Sequence, residues 1–144
     1  MPTLPWTAPN PATPGTSAIV MASRFEVRSL SDVPRFFARS MTVWRQLRRS
    51  PGALGGSLIA RPLRRTFYTL SAWESREALD AFAAAEPHRS VMRGLRGTMR
   101  ESTFTFWQTP VEQLPITWAD AHGRLDAQRT AGTVGGGGDA AGTR

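Results

Sequence analysis

Thr66 to Met92, TFYTLSAWESREALDAFAAAEPHRSVM, is the stretch in which the hydrophobic period changes from two to nearly four. Up to Trp73 it alternates: Phe67, Thr69, Ser71 and Trp73 fall on one face and Thr66, Tyr68, Leu70 and Ala72 on the other, in a run rich in β-branched and aromatic residues. Apolar residues on both faces predict a strand covered on both sides. Ser75 then offers a side-chain oxygen to the free N–H groups of a new helix, with Glu77 near the positive end of its dipole. Ala78, Leu79, Phe82 and Ala83 repeat at helical spacing until Pro87 interrupts the run and His88 follows.

Working outward, PLRR (62–65) is a tight turn back into ALGGSLIAR (53–61), a second strand whose Gly55-Gly56 pair predicts a bulge or the close approach of another group. Before it, Val33, Phe36, Phe37, Ser40, Met41, Trp44 and Leu47 form a stripe at spacings of three and four, with Arg35, Arg39, Arg45 and Arg49 opposite. Ser31, Asp32 and Pro34 give that helix its start. AIVMASRFEV (18–27) predicts the first strand of the domain, and TMRESTFTFWQT (98–109) the last.

The order strand, helix, strand, strand, helix, strand is a split βαβ pattern. It predicts an α+β, ferredoxin-like fold: a four-stranded antiparallel sheet with the helices on one face. The second face would then carry Tyr68 and Leu70, or Phe104 and Phe106, with nothing over them. That much apolar surface predicts a homodimer closed sheet to sheet. Residues 18–109 are the expected domain. Residues 1–17, with five of the eleven prolines, are expected to be a disordered tail, 110–128 an arm with a short helix anchored by Trp118, and 129–144 a Gly-rich disordered tail.

Composition narrows the chemistry. All 18 basic residues are arginine, so lysine Schiff-base catalysis is excluded, and the absence of cysteine removes thiol nucleophiles, thiolate metal sites and disulfides. A net charge of +7 is compatible with an acidic partner or nucleic acid. RRTFYTLSAW (64–73), however, lacks the glycine-containing motif of RNA-binding sheets of the same strand order, so no nucleic-acid partner is expected. No apolar run follows a basic start and no segment is long enough to span a bilayer, which makes a cytoplasmic protein without membrane contact the expectation. Paired carboxylates at short spacing, a nucleophile elbow, a phosphate loop and a metal cluster are all missing.

The candidate site gathers at the strand–helix corner. His88, set after a proline at the expected pocket rim, is suited to general-base work or to ligating haem iron. Trp73 is placed to stack on a planar ligand, with Thr69 and Ser71 on its face to orient a ligand oxygen. Arg93, the best placed of the series Arg89, Arg93, Arg96 and Arg100, would stabilise an enolate, a phenolate or a haem propionate. Glu101 and Trp107 share a face of the last strand and complete the substrate-binding set.

FYTLSAWESREALDAFAAAEPHRSVM, preceded by RRSPGALGGSLIARPLRRT and followed by ESTFTFW, resembles the dimeric α+β barrel superfamily that contains the antibiotic biosynthesis monooxygenases, over Ala18 to about Leu125. FFARSMTVWRQLRRSPG and SAWESREALDAF are also similar to spheroidene monooxygenase-like proteins, a haem-associated branch. The resemblance implies a homodimer whose two sheets form a shared barrel, with a pocket in each subunit between sheet and helices. It implies a monooxygenase-like reaction on a planar hydrophobic molecule such as a polyketide, quinone or isoprenoid, with haem or with no cofactor. A non-catalytic ligand-binding or scaffold dimer is the alternative. Where cofactor-independent members hold a pocket asparagine, the nearby same-face residue is Thr69; where the haem-degrading branch holds an asparagine on the first strand, Ser23 and Arg24 stand.

Overall fold

The computed structural model describes residues 3–134. The chain runs β1 (Thr3–Thr7), β2 (Ser17–Val27), α1 (Val33–Arg48), β3 (Ala53–Arg61), β4 (Thr66–Trp73), α2 (Arg76–Ala84), α3 (His88–Leu95), β5 (Met99–Pro110) and α4 (Trp118–Val134). All pairings are antiparallel, in the order β1-β3-β4-β2-β5. β2 to β5 and α1 to α3 are the expected ferredoxin-like α+β core; β1 is a fifth strand added at the edge beside β3.

That fifth strand corrects the reading of residues 1–17 as disordered. Proline content hid it, and the cause lies in the partner strand. Ladder bonds hold β1 to β3, Ser57 Oγ donates to the Leu4 carbonyl (2.7 Å), and the Trp6 ring lies where a side chain on Gly55 would stand. A Cβ built on Gly55 would come within 2.0 Å of Trp6 Cζ2. The Gly55-Gly56 pair therefore serves as predicted: the register slips between Ala53 and Gly55, and another group approaches closely. Farther on, Asn10 Nδ2 donates to the carbonyls of Ser50 (2.9 Å) and Ala53 (3.0 Å), fastening the loop after β1 to the start of β3.

Register assigns the faces. Ile19, Met21, Ser23 and Phe25 of β2 pair with Trp73, Ser71, Thr69 and Phe67 of β4, and this is the side on which α1, α2 and α3 pack. Ser75 caps α2 as expected, its Oγ accepting from the Ala78 N–H at 3.1 Å. Met21 and Ser23 also pair with Phe106 and Phe104, so these two phenylalanines belong to the helix side and not to the opposite face. A Phe25–Phe104 ring contact at 5.5 Å fixes the same placement. Glu101, Thr103 and Trp107 lie on the other face, with Tyr68 and Leu70.

That other face is not bare. α4 crosses it and buries Leu125 and Ala121 against Val20, Ala22, Leu70 and Ala72, with Trp6, Trp107 and Trp118 packed around them. Leu70 keeps 1 % of its surface. Trp118 Nε1 donates to Ser57 Oγ (3.1 Å), the hydroxyl that also holds β1. The expected short helix of the C-terminal arm is thus a 17-residue helix reaching Val134, into the part expected to be a tail; the rest of that tail, 135–144, lies outside the described residues. The chain itself covers the surface from which a dimer was argued. Among the described residues no helix is long and apolar enough to cross a membrane.

Candidate functional site

A hollow of about 1320 Å³ lies between the sheet and α1–α3 and runs round the open edge of β5 as far as Arg129. Drug-sized pockets usually occupy a few hundred to about 1,000 Å³, so the hollow has room for a multi-ring molecule. Its floor carries Met21, Ser23, Thr69 and Ser71; its roof carries Phe36, Val43 and Leu47 of α1, Leu79 and Phe82 of α2, and His88, Val91 and Met92 of α3. Phe104 and Phe106, 40 % and 37 % exposed, form its outer rim. Across that rim the Arg76 guanidinium sits 4.6 Å above the Phe106 ring while pairing with Asp80 at 3.1 Å.

Of the candidate residues, His88 is the best held. Its ring lies 4.9 Å from that of Phe82, and its Nδ1 is 3.0 Å from the Ala83 carbonyl, an atom that only accepts. Nδ1 therefore carries the proton and Nε2 the lone pair. Burial pushes the imidazole below its ordinary pKa, an effect the bond to the Ala83 carbonyl opposes in part, so the ring is neutral at pH 7. Gln46, buried in α1, holds the arrangement from behind: its Nε2 donates to the Phe82 carbonyl (3.1 Å) and its Oε1 accepts from the His88 N–H (2.7 Å). One amide ties three helices together at the histidine. The sequence offered one cue to Gln46, a polar residue beside an apolar stripe, and that cue is indistinguishable from a surface position.

The other candidates divide. Thr69 and Ser71 line the hollow as expected. Trp73 does not: it is completely buried, its ring 4.9 Å from that of Phe82 and tilted 40° to it, with Nε1 donating to Ser71 Oγ (2.9 Å). The strand end that was expected to present it to a ligand is roofed by α2, and its role is to support Ser71. Arg93 is exposed on α3 and does not line the hollow, because it falls on the helix face opposite Val91 and Leu95. Trp107 lies under α4, with the Arg124 guanidinium 4.3 Å over its ring. Glu101 projects from the far face of β5 and lines only the part of the hollow that runs round that edge, in an ion-pair group with Arg24 (2.8 Å) and Arg129 (3.4 Å). One register assignment, that of β5, puts both of the last two on the face away from the helices, and Trp107 does not reach the hollow. His122 packs against Tyr68 at 4.6 Å on that same far face. Among the described residues no group of three or more His, Asp or Glu side chains is arranged to hold a metal ion.

The family model for DUF3291, a domain of unknown function, matches residues 35–136. The chain belongs to this family. Compared in sequence, no curated protein matches this DUF3291 member. Compared in structure, it is similar to an antibiotic biosynthesis monooxygenase, with a TM-score of 0.57 and 15 % identity over 62 % of this chain and 95 % of that one. It is similar to SnoaB, a cofactor-independent oxygenase from Streptomyces nogalater, with a TM-score of 0.53 and 18 % identity over 70 % of this chain and all (100 %) of that one. A conserved protein from Methanosarcina mazei Go1 gives 0.57 and 13 % identity, over 62 % of this chain and 90 % of the other. The fold of this DUF3291 domain is that of the antibiotic biosynthesis monooxygenase-like structures, in agreement with the resemblance carried by its sequence.

Proposed function

We propose that this chain is a monooxygenase-like enzyme for a planar hydrophobic substrate of the polyketide, quinone or isoprenoid type, bound in the hollow between sheet and helices. The observation that carries the reading is His88: a neutral imidazole with an unprotonated Nε2, on the wall of a hollow whose other sides are largely apolar. Nε2 takes a proton from an acidic C–H or O–H of the substrate, and the resulting electron-rich anion reacts with O₂. For a ring methylene flanked by aromatic rings the change is CH₂ to C=O. One oxygen atom enters the product, the other leaves as water, and the carbon supplies the four electrons. Apolar walls favour this by excluding water from the anion.

The working unit is a homodimer. With the far face covered by α4, the reading rests on β5, a 12-residue edge strand with unpaired backbone groups and two exposed phenylalanines, which a second copy would cover.

Anthrone, whose central methylene fits this description, is the test substrate. Oxygen uptake should follow its addition, and His88→Ala should lower the rate at least about 100-fold. Because only the neutral ring acts as base and its pKa is depressed, the rate should be flat above the ordinary imidazole value of about 6.5 and fall only on the acid side of it. An unchanged rate in His88→Ala, or no uptake above the uncatalysed background, overturns the proposal.

The residues also fit haem. His88 offers Nε2 with its other nitrogen fixed by a carbonyl, as metal-bound imidazoles are held, and Arg76 stands at the rim for a carboxylate. Haem, when bound, would supply redox chemistry with O₂. Added haemin should then shift its Soret band with wild type and not with His88→Ala. A second reading, a ligand-binding dimer without turnover, draws on Thr69, the nearby same-face residue where oxygenases of the resembled superfamily hold a pocket asparagine. Binding of anthrone without oxygen uptake is its signature.

A further inference from the structure

Two hydroxyl protons on the floor of the hollow have no acceptor among the described residues. Ser23 and Thr69, paired across β2 and β4, are hydrogen-bonded to each other through their hydroxyls, and neither makes another side-chain hydrogen bond among the described residues. One bond between two hydroxyls uses one of their two protons. Both line the floor of the hollow, but Ser23 is completely buried whereas Thr69 is half-buried. Were Thr69 the donor, the proton left over would be that of Ser23, the hydroxyl with no exposed surface at the bottom of the hollow, which is the costlier arrangement. Ser23 therefore donates to Thr69 Oγ1, and the Thr69 O–H is left for the hollow. Ser71 repeats the pattern: its Oγ accepts from the Trp73 Nε1–H at 2.9 Å, and its own proton has no acceptor among the described residues. Each hydroxyl is polarised by a donor behind it, which strengthens the bond it can give.

Thr69 and Ser71 lie two residues apart on one face of one strand, so their hydroxyls stand about 7 Å apart in a row. Phe36 and Phe82 are on the walls above them, and His88 is the acceptor at the rim. We infer that Thr69 and Ser71, set by Ser23 and Trp73, form a paired hydroxyl donor for two acceptor oxygens of a flat oxygenated ring system, a quinone or the ketone and phenolate oxygens of a hydroxyketone. The inference rests on the proposed function above and refines it. The substrate is not any planar hydrophobe but one carrying carbonyl or phenolate oxygens, and the charge that develops when His88 removes a proton is received by these two O–H groups. Ser23 is then a positioning residue: it touches no substrate and acts through Thr69.

Amide chemical shifts of the full ¹⁵N-labelled chain, titrated separately with 1,4-naphthoquinone and naphthalene, test this. The absence of cysteine and lysine removes the side chains a quinone most readily alkylates. Both probes should move the amides of the hollow, with the quinone bound at least about ten-fold more tightly. Thr69→Val and Ser71→Ala should each narrow that preference about five-fold, Thr69→Ser should restore it, and naphthalene affinity should not change. Ser23→Ala should narrow it less than Thr69→Val does. Should Ser71→Ala fail to fold because Trp73 loses its acceptor, the Thr69 pair of variants decides alone. Equal affinity for the two probes, or a preference untouched by Thr69→Val, overturns the donor pair and leaves the hollow as a binding site. No shift in the hollow with either probe overturns the proposed function as well.

Discussion

The two faces of this sheet are built from the same strands and finished in opposite ways. On the far face α4 and Trp6 press onto Val20, Ala22, Leu70 and Ala72. On the near face α1 to α3 cover the strands β3, β4 and part of β2, then stop, and β5 is left with Phe104 and Phe106 at the rim of a hollow. The difference comes from reach. A ferredoxin-like pair of helices spans about three strands at helix-packing distances of 8–10 Å, so the outermost strand is left over on the helix side. A single diagonal helix with three tryptophans around it closes the other side. Stability is concentrated on one face and room for a ligand on the other.

Leu125→Ala should be the largest blow to the closed face. The side chain is 1 % exposed in α4, and buried leucines replaced by alanine cost about 2–5 kcal/mol. Urea unfolding measures it, and a loss below about 1 kcal/mol would mean that α4 rests on the sheet only loosely and that the contrast between the faces is false. Gly55→Ala should come next, at about 1–3 kcal/mol, because its Cβ would collide with Trp6 and force the ring and β1 off the sheet. Limited proteolysis should show the N-terminal segment cut earlier in that variant. Cleavage no faster than in wild type would place the cost elsewhere than in β1.

What could be read in advance follows the same division. The four core strands, the Ser75 cap and the bulge at Gly55 announce themselves because period, capping and glycine chemistry are local. β1 did not, since Thr3 to Thr7 holds a proline and becomes a strand only through Ser57, Gly55 and Trp118, some fifty to more than one hundred residues away. Thr69, Ser71 and His88 line the hollow where they were expected to, because strand alternation and the helix break at Pro87 place them without any long-range knowledge. Trp73 was misplaced for want of knowing that α2 folds back over its own strand end. Trp107 was misplaced, and Glu101 reaches only the outer part of the hollow, because alternation separates two faces of β5 without saying which one meets the helices; only pairing with Met21 and Ser23 decides that.

The smallest effect on stability should come from the open face, at Phe106. With 37 % of the residue exposed and Arg76 over its ring, Phe106→Ser should cost less than about 1 kcal/mol, the range of an exposed cation–π contact. Its effect on assembly should be larger. If β5 is the edge at which a second copy docks, removing the ring exposes no new core but weakens the contact, and sedimentation equilibrium should show the dimer dissociating at a higher concentration than wild type while the monomer unfolds almost as before. A loss of stability equal to that of Leu125→Ala would make the rim part of the core and the hollow a closed interior. An unchanged dimer would move the pairing away from β5, and the two exposed phenylalanines would then be the lip over which a flat ligand enters.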